Sequence, residues 1–519
     1  MYMPHSASSL ISRAARRVRY TLPVPSDSQI AARHAPLRIS SVARDAGLLP
    51  REVTAHGPHA AKVSLDVLAR LRHEPNGHYV LVTGITPTPL GEGKSTVAVG
   101  LCQALGAHLG QRAIATLRQP SQGPTFGIKG GAAGGGYAQV IPATLLNLHL
   151  TGDLHAVAAA NNLLAAALDA RCLHEAACSD ERLFDRLCPV APGGGGGGGV
   201  RRPLAPSLLR RLASLGIPSP AGGDAALLAP AQRAALVRLD VDPATITWRR
   251  VLDTCDRHLR GVTLGQGAAE AAAHAPRASA FDICVASEVM AVLALAEGYG
   301  DLRERLGRMV VAHSTRPGAP PVTAEDLGCA GAMAALLRDA LAPNLLQTLE
   351  GTPVLVHAGP FADIAHGSSS VLADRLGLKL AGSGGYVVTE AGFGADVGAE
   401  KFFNIKCRAS GLAPGAAVLV TTVRGLKVHG GGPPVAPGQP LDAAYRTEGL
   451  PLVAAGLPNL ARHIGTLRAF GVPVVVALNR FTNVRAAQLR ALAVRALPRL
   501  TLRTRTRPHT HAHARPAGH

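Results

Sequence analysis

Residues 78–96 read HYVLVTGITPTPLGEGKST, an apolar strand followed by a glycine-rich turn that ends in Gly93-Lys94-Ser95. The strand fixes where the turn begins, and the small residues allow backbone N–H groups to face a polyphosphate. Residues 95–108 have a helical pattern, and the positive amino-terminal end of that helix would face the same anion. This order of strand, turn and helix predicts a nucleotide-binding protein with a phosphate-binding loop.

Within this loop, Lys94 would direct its charge at the β- and γ-phosphates, and the Ser95 hydroxyl would ligate Mg²⁺. The loop departs from the pattern GxxxxGK[ST] at its first position, where Thr88 replaces glycine. A chance Gly-Lys-Ser on the surface is the alternative, but the strand before it and the helix after it favour the loop. The predicted nucleotide-binding residues are Thr88, Pro89, Leu90, Gly91, Glu92, Gly93, Lys94 and Ser95.

A second motif follows in residues 117–142. Arg118 comes directly after the apolar run AIATL, so we expect it at the carboxyl end of a strand, where open α/β sheets bind ligands. The segment GIKGGAAGGGY (127–137) has almost no side chains and can bring backbone close to a ligand. A flexible linker is the alternative, although Lys129 and Tyr137 are residues that a linker does not need.

The chain resembles the formate–tetrahydrofolate ligases, including the synthetase part of eukaryotic C1-tetrahydrofolate synthases. TPLGEGKS and GIKGGAAGGGY match the signatures of that family. The resemblance is collinear from about Val24 to about Asn483. Further matching segments are NLHLTGD (147–153), AANNLLAAALDAR (159–171), FDICVASEVMAVLAL (281–295), QTLEGTPVLVHAGPFADIAHG (347–367), TEAGFGADVGAEKFFNIKCR (389–408) and VRGLKVHGGGP (423–433).

The resemblance implies ATP-dependent ligation of formate to tetrahydrofolate through formyl phosphate, giving 10-formyltetrahydrofolate, ADP and phosphate. Lys94 and Arg118 are then the candidate catalytic residues, with Lys94 at the γ-phosphate and Arg118 binding formyl phosphate oxygens. A structural ion-pair role for Arg118 is the alternative. The resemblance also implies MgATP, a monovalent cation and a homo-oligomer. The alternative function is a chain that binds nucleotide but is catalytically impaired, either as a fragment or as a subunit of such an oligomer.

Other residues are candidates for metal or folate binding. Glu390 ends the apolar strand YVVTE, so it could hold Mg²⁺ together with Ser95; a plain strand-end carboxylate is the alternative. The resemblance implies that Phe481, after the strand VVVAL, stacks on the pterin, and a core position is the alternative. A GTPase-like switch is disfavoured, because residues 479–482 read NRFT instead of the base-reading Asn-Lys-x-Asp.

Histidines and cysteines receive mostly structural interpretations. A histidine could assist proton removal from the attacking amine, but buried structural roles are expected for most of them. The histidines concerned are His149, His155, His357 and His366. Three cysteines in apolar surroundings are expected to be core residues, namely Cys102, Cys284 and Cys407. The HTHAH run (509–513) is expected to be solvated and not a metal chelator.

The sequence also departs from the family pattern at several positions, and it indicates where the domains begin and end. The family usually has an acidic pair after Pro142, where this chain has Ala-Thr-Leu-Leu, and Gly425 replaces an alanine. The run of glycines at 193–199 is a surface loop or an error in the gene sequence. The predicted organisation is a leader (1–23), a ligase domain (24–483) that lacks its carboxyl-terminal part, and a basic tail without family pattern (484–519). Within the domain, residues 24–150 and 345–483 form the α/β core and 151–344 an inserted, mostly helical subdomain.

The net charge of +19 normally suggests nucleic acid, but its distribution argues against that partner. Residues 1–20 are Ser- and Arg-rich without an acid, and no Asp or Glu follows Glu448. The leader is typical of a mitochondrial transit peptide, so we expect the matrix; arbitrary upstream sequence on a cytosolic protein is the alternative. Eight cysteines without a CxxC pair favour reduced thiols. No apolar run reaches the ~20 residues of a membrane span.

Short continuous apolar runs alternate with helical segments after residue 345. This alternation predicts an α/β fold with a P-loop NTPase-like, mainly parallel sheet covered by helices on both faces. The strand before the phosphate-binding loop belongs to the same sheet, and residues 63–72 ahead of it are predicted to form a helix. The further strands are predicted at 353–357, 385–389, 416–423 and 472–478.

Overall fold

The computed structural model describes most of the chain. The described residues are 16–123, 133–191, 201–273, 275–436, 439–481 and 488. Several predictions therefore fall outside the described residues: the glycine run 193–199, residues 127–132 with Lys129, the first fifteen residues of the leader, and the tail apart from Gln488.

Seventeen strands are formed by the described residues. They are β1 Val53–Ala55, β2 Ala61–Val63, β3 His78–Gly84, β4 Ala113–Leu117, β5 Gly134–Gly135, β6 Ala138–Ile141, β7 Arg250–Leu252, β8 Val262–Leu264, β9 Arg277–Ser279, β10 Phe281–Ile283, β11 Val310–Ala312, β12 Val322–Thr323, β13 Asn344–Thr348, β14 Pro353–Val356, β15 Tyr386–Glu390, β16 Ala416–Thr421 and β17 Val474–Leu478.

The α-helices are distributed along the whole described chain. They are α1 Asp27–Ala32, α2 Ile39–Asp45, α3 Asp66–Arg70, α4 Lys94–Gln103, α5 Ala143–Asn147, α6 Asp153–Ala177, α7 Asp180–Leu187, α8 Pro206–Ser214, α9 Pro230–Val237, α10 Ala268–Ala273, α11 Glu288–Leu295, α12 Tyr299–Gly307, α13 Ala330–Leu336, α14 Val371–Ala381, α15 Arg408–Ser410, α16 Val423–His429 and α17 Leu450–Ala469.

One large sheet organises the fold, in the order β1-β2-β13-β14-β4-β15-β3-β16-β17. The six strands β14-β4-β15-β3-β16-β17 are parallel to one another. At the other end of the sheet, β1 pairs with β2, β2 with β13, and β13 with β14, all antiparallel. The small β5–β6 hairpin attaches to β13. The predicted α/β class with a mainly parallel sheet is therefore confirmed.

The predicted strands lie in this sheet as β3, β14, β15, β16 and β17, with bounds that differ by at most two residues. The predicted helix at 95–108 is α4 with a π-helical turn, Ala104–His108. A helix expected at 63–72 is only the short α3, because residues 61–63 join the sheet as β2. The antiparallel end was not predicted, since β1 and β2 have only three residues each and the five residues of β13, NLLQT, are not a continuous apolar run.

Both faces of the sheet are covered. Along β3, Leu81 packs against the layer of α14, α16 and α17, whereas the adjacent Val82 packs against α4. Successive side chains on a strand point to opposite faces, so a continuous apolar run is what a doubly covered strand requires. The phosphate-binding loop thus leaves a strand that is fixed from two sides.

Between residues 151 and 344 the described part of the chain forms the helices α6 to α13 and the short strands β7 to β12. One core joins α6 to α11, α12 and α13, and a second joins α7, α8 and α9. The strands of this region form three separate two-stranded sheets, β7–β10, β8–β9 and β11–β12. The exact limits of an inserted subdomain remain a prediction. None of the helices in the described ranges has the length and apolarity needed to cross a membrane.

A charged cluster lies beneath the sheet. Asp374 on α14 and Lys406 are 0% and 1% exposed and form an ion pair at 2.5 Å. Asp374 also accepts hydrogen bonds from Thr116 Oγ1 at 2.6 Å and from the Tyr79 hydroxyl. Burial, together with the nearby carboxylate, raises the pKa of Tyr79 well above its ordinary value. A buried carboxylate is tolerated here because three neighbours satisfy it.

Replacing Asp374 by alanine is expected to lower the free energy of unfolding by about 3–5 kcal/mol, because Lys406 would remain buried without a counter-charge. Urea unfolding measures this difference. The control is Asp339→Ala, which breaks an exposed pair with Arg338 and should cost no more than ~1 kcal/mol. The double variant Asp374→Leu, Lys406→Met should recover most of the loss. Equal effects of Asp374→Ala and Asp339→Ala would contradict this expectation.

Candidate functional site

Three neighbouring strands end at one place. β15 lies between β3 and β4 and is parallel to both, so their carboxyl ends share one edge of the sheet. Lys94 begins the helix that follows β3, Glu390 is the last residue of β15, and Arg118 directly follows β4. Ligands of open α/β sheets bind at such an edge. The structure therefore brings together the predicted catalytic residues and the predicted metal ligand.

Two glycines, Gly93 in the loop between β3 and α4 and Gly84 at the end of β3, leave little space for a side chain. Gly93 has φ +75°, and a Cβ on it would lie 2.3 Å from Asn479 Nδ2. Gly84 has little space for a different reason, because a Cβ there would lie 3.2 Å from Cδ of Lys94. The Lys94 stem thus crosses the end of β3, and the helix beyond it starts from a backbone conformation that favours glycine.

Ser95 and Glu390, the two predicted Mg²⁺ ligands, are in direct contact. The Ser95 hydroxyl donates a hydrogen bond to Glu390 Oε2 at 2.6 Å, and Glu390 is 7% exposed. A hydroxyl and a carboxylate are oxygen ligands of the kind that Mg²⁺ uses beside nucleotide phosphates. No cluster of three or more His, Cys, Asp or Glu suited to a metal occurs within the described residues. The residues present fit an ion that is bound mainly through a nucleotide.

The site contains two partly buried cations, Lys94 and Arg118, with carboxylates close to both. Burial lowers the pKa of Lys94; Glu92 and Glu390 oppose this effect, and Arg118 adds to it. Burial also lowers the pKa of Arg118, against the carboxylates of Glu390 and Asp363. Within the described part of the chain, no hydrogen bond or ion pair joins the Arg118 guanidinium to another side chain. The structural ion-pair role considered for Arg118 thus has no partner among the described side chains.

Glu92 is the acid of the phosphate-binding loop, and it is only 1% exposed. It accepts a hydrogen bond from Thr88 Oγ1 at 2.9 Å, so Thr88, at the first position of the pattern, closes the loop upon itself. Burial raises the pKa of Glu92, partly offset by Thr88, Lys94 and His429. Asn479, at the end of β17, donates from Nδ2 to the Glu92 carbonyl at 2.9 Å. The loop is therefore fixed from within and from the neighbouring strand.

A second loop approaches Arg118. Ala358 has φ +50°, and its carbonyl accepts from the Gln119 backbone N–H at 2.6 Å. A Cβ on Gly359 would lie 2.2 Å from the Gln119 carbonyl oxygen, so only glycine fits this approach. The same loop carries Asp363, which faces Arg118. Non-glycine residues at positive φ often mark functional sites, and sequence patterns contain no signal for them.

Asp253 is a further acid that sequence reasoning missed. It lies near the Gln122 backbone, close after Arg118, and faces His149. Burial raises its pKa to about 6, although Gln122 and His149 oppose that change. Its Oδ1 is buried and has no hydrogen-bond partner in the part of the chain that the structure describes. Such a carboxyl can exchange a proton near neutral pH.

The four histidines separate into two pairs. His149 and His155 are exposed, whereas His357 and His366 are fully buried. His357 bonds to Ser370 Oγ and to the Ala340 carbonyl, both at 2.6 Å, and burial lowers its pKa to about 4. The buried structural role expected for most of the histidines is confirmed for His357 and is wrong for His149 and His155, which are exposed. Cys284 and Cys407 are unsuited to attack, because burial raises the pKa of Cys284 strongly and that of Cys407 to about 12, and Cys102 is fully buried.

Phe481 lies at the edge of the hydrophobic core formed by β16, β17 and α17. Its ring is partly buried against the core of β16, β17 and α17, and the Arg424 guanidinium lies 4.4 Å from the ring centroid. A cation over an aromatic face is a favourable contact that fixes the orientation of the ring. Phe393 is another aromatic near the site that sequence reasoning missed: it follows Glu390, has φ +53° and is 43% exposed.

Comparisons with known proteins identify the family of the chain. The family model described as formate–tetrahydrofolate ligase matches residues 25–510, a range that continues beyond residue 483. The chain is 55% identical to formate–tetrahydrofolate ligase of Arabidopsis thaliana over 481 residues, 93% of this chain and 74% of that protein. It is 58% identical to cytoplasmic C-1-tetrahydrofolate synthase of Homo sapiens over 467 residues, 90% of this chain and 48% of that protein. The mitochondrial monofunctional C1-tetrahydrofolate synthase of Bos taurus is also 58% identical, over 89% of this chain and 46% of that protein.

Proposed function

Because the chain belongs to the formate–tetrahydrofolate ligase family, we propose that it joins formate to tetrahydrofolate at the expense of ATP. The observation that supports this most directly is the meeting of Lys94, Arg118 and Glu390 at the ends of three adjacent strands. Two partly buried cations can gather a nucleotide γ-phosphate and a carboxylate substrate at one point, where fixed charges are most effective. The protein is accordingly a ligase of one-carbon metabolism.

The proposed reaction has two steps. A formate oxygen attacks the γ-phosphorus, the bond to the β-phosphate oxygen breaks, and ADP leaves, which forms formyl phosphate. The amine N10 of tetrahydrofolate then attacks the formyl carbon, phosphate leaves, and the nitrogen loses a proton. Lys94 is proposed to stabilise the transferred phosphoryl group, and Arg118 to hold formate and then formyl phosphate oxygens in its planar fork.

We also propose the finer fold class, a P-loop NTPase-like sheet. The support is that β3 leads through the glycine-rich loop into α4, which begins with Lys94 and Ser95. Ser95 and Glu390 would hold Mg²⁺, which would neutralise phosphate charge when bound. Gln119 Oε1 and Ser121 Oγ are buried and have no hydrogen-bond partner among the described residues. Oxygen atoms of this type can coordinate a monovalent cation. Both residues follow Arg118 closely in the chain, so they fit the cation that the family resemblance implies.

Phe481 is proposed to bind the pterin by stacking. The Phe481→Ala variant should raise the KM for tetrahydrofolate by about 5- to 100-fold, since stacking of a flat heterocycle on an aromatic ring contributes ~1–3 kcal/mol. The KM for ATP should stay nearly unchanged. Steady-state kinetics with each substrate varied in turn measures both values.

The matched control is Phe470→Ala, because Phe470 also contacts this core and stacks on Phe403 with ring centroids 4.4 Å apart. It should lower stability without a selective effect on tetrahydrofolate. Loss of stability with an unchanged tetrahydrofolate KM in Phe481→Ala would assign the ring to the core alone.

The function itself is tested with purified protein supplied with MgATP, formate and tetrahydrofolate. We expect ADP release that requires formate, and 10-formyltetrahydrofolate detected as its acid-cyclised product. Formate-dependent ADP release without the folate product would favour the alternative, a catalytically impaired chain or oligomer subunit. Absence of both ATP binding and ADP release would refute the proposal.

Organisation, compartment and assembly are proposed as well. We propose that residues 151–344 form an inserted, mostly helical subdomain. Limited proteolysis should cut near these limits and leave a stable core, and the absence of such a core would contradict the proposal. The acid-free leader supports the mitochondrial matrix, and relatives are named both mitochondrial and cytoplasmic. A fluorescent fusion of residues 1–23 that stays in the cytosol would favour the cytosolic alternative. A homo-oligomer is proposed from the family resemblance, and light scattering that gives a monomer mass would contradict it.

A further inference from the structure

Thr86, two residues before the phosphate-binding loop begins at Thr88, is held by side chains from two helices. Its backbone N–H donates to His463 Nε2 at 2.8 Å, and its carbonyl lies 2.7 Å from His429 Nε2. The Thr86 hydroxyl lies 2.9 Å from His463 Nε2 and 2.9 Å from Asn459 Nδ2. Every polar group of Thr86 is thus engaged by α16 or α17. This set of contacts is called the Thr86 clamp below.

The clamp is built into the sequence of α17. Asn459 and His463 are four residues apart, so they lie on the same face of the helix. His463 is 2% exposed and Asn459 is partly buried. Because the strand before Thr86 is enclosed by helices on both faces, a change at this contact would be transmitted to the glycine turn instead of being absorbed by solvent-exposed backbone.

The hydrogen bonds determine the protonation state of both histidines. A backbone N–H can only donate, so His463 Nε2 must be unprotonated to accept from Thr86. A carbonyl can only accept, so His429 Nε2 must carry a proton. An imidazolium at position 463 would place an N–H against the Thr86 N–H, and the contact would become repulsive.

The surroundings of His463 favour the neutral form. Burial lowers its pKa, and His429 on α16 adds to that effect. Asp396, on the π-helical turn Ala395–Ala399 that packs against α17, opposes it. Because Nε2 accepts from Thr86, the proton of the neutral His463 ring lies on Nδ1, which is buried without a hydrogen-bond partner among the described residues. A second proton would have to bind Nε2, where it would face the Thr86 N–H. With a lowered pKa, His463 remains neutral until the pH falls below the ordinary pKa of histidine.

We propose that His463 is a positioning residue for the phosphate-binding loop, acting through Thr86 and only when its Nε2 is unprotonated. The inference rests on the proposed function, because it concerns how the loop binds MgATP. His429 and Asn459 complete the same clamp from α16 and α17. The expected consequence is that ATP binding weakens at acidic pH through this contact.

Three variants test the proposal. His463→Leu removes the acceptor and leaves a buried N–H unpaired, so the KM for ATP should rise about tenfold at every pH. His463→Gln retains an oxygen acceptor that does not titrate, so it should rescue ATP binding at neutral pH and flatten its loss at acidic pH. The control is His174→Gln, an exposed histidine on α6 that should behave like the parent.

The measurement is equilibrium binding of MgATP together with steady-state kinetics, from about pH 5 to about pH 8. Thermal unfolding of each variant shows whether it is folded. Glu92 and Asp253 also titrate abnormally, so the comparison of parent with His463→Gln isolates position 463. If His463→Leu does not fold, the flattened acid limb of His463→Gln still decides the matter.

Two failures are distinguishable. A parent protein that does not bind MgATP at all overturns the proposed function and, with it, this inference. A parent that binds MgATP, while folded His463→Leu has the same KM and His463→Gln the same pH profile, overturns the positioning role alone. A drop in kcat at constant ATP KM in His463→Leu would also contradict it, because a positioning residue of the nucleotide loop should act on ATP binding.

Discussion

Lys94→Ala is expected to abolish measurable MgATP binding and to lower kcat/KM for ATP by a factor on the order of 100 or more, because it removes a fixed charge in a partly buried site. Folding should be preserved. Burial lowers the pKa of Lys94, so the charged side chain is a cost to the folded protein rather than a source of its stability. Calorimetric titration with MgATP measures the first effect, and thermal unfolding the second.

Two further variants separate charge from packing. Lys94→Met retains the aliphatic stem that crosses Gly84 but lacks the charge, so it should be as impaired as the alanine variant. Lys379→Ala is the remote control: Lys379 binds the carbonyls of Arg72 and Glu74, ahead of the amino-terminal end of β3, and its loss should not affect ATP. Equal ATP affinity in Lys94→Ala and the parent would exclude the phosphate-binding assignment of the loop.

Arg118→Ala is expected to reduce formate-dependent ADP release by a factor on the order of 100 to 1000, while ATP binding changes little. The reason is geometric. Arg118 follows β4, one strand further from the phosphate-binding loop than Glu390, so it suits the second substrate better than the nucleotide. Measurement of ATP affinity in the absence of formate, beside the formate dependence of turnover, separates the two effects.

Arg118→Lys serves as the matched variant, because it keeps the charge but loses the planar pair of donors. It should bind ATP normally and remain strongly impaired toward formate, since an ammonium cannot reproduce a bidentate grip on an oxyanion. Parallel loss of ATP and formate binding in Arg118→Ala would instead identify Arg118 as a structural residue or a nucleotide ligand. Full activity of Arg118→Lys would argue for a simple charge effect.

Sequence patterns predicted the parallel half of the sheet well. Continuous apolar runs such as those of β15 and β16 have one structural solution, burial on both faces, and the strand before the glycine turn had to join them. They did not predict β1, β2 and β13, because these short antiparallel strands acquire their identity from their partners. The shortening of the helix expected at 63–72 has the same cause, since pairing with β13 outweighed the local helical pattern.

The site was predicted only in part. Arg118 and Glu390 could be placed at strand ends, and Lys94 and Ser95 at the start of the helix after β3, from local context alone. Their convergence at one edge of the sheet depends on β15 lying between β3 and β4, which is a matter of strand order. Asp253, Asp363 and Phe393 carry no local signal, because their importance arises from burial, facing charges or a positive φ in the folded chain.

The amino-acid sequence by itself determined the α/β class and the family, and it predicted a phosphate-binding loop, since all three are local or collinear patterns. Tertiary structure alone decided which side chains meet, because contacts between residues hundreds of positions apart depend on strand order and helix packing. The clearest case is Thr86 and His463, which are 377 positions apart and share a hydrogen bond of 2.8 Å. No periodicity or spacing contains that contact: it exists only because α17 packs on the sheet beside the end of β3.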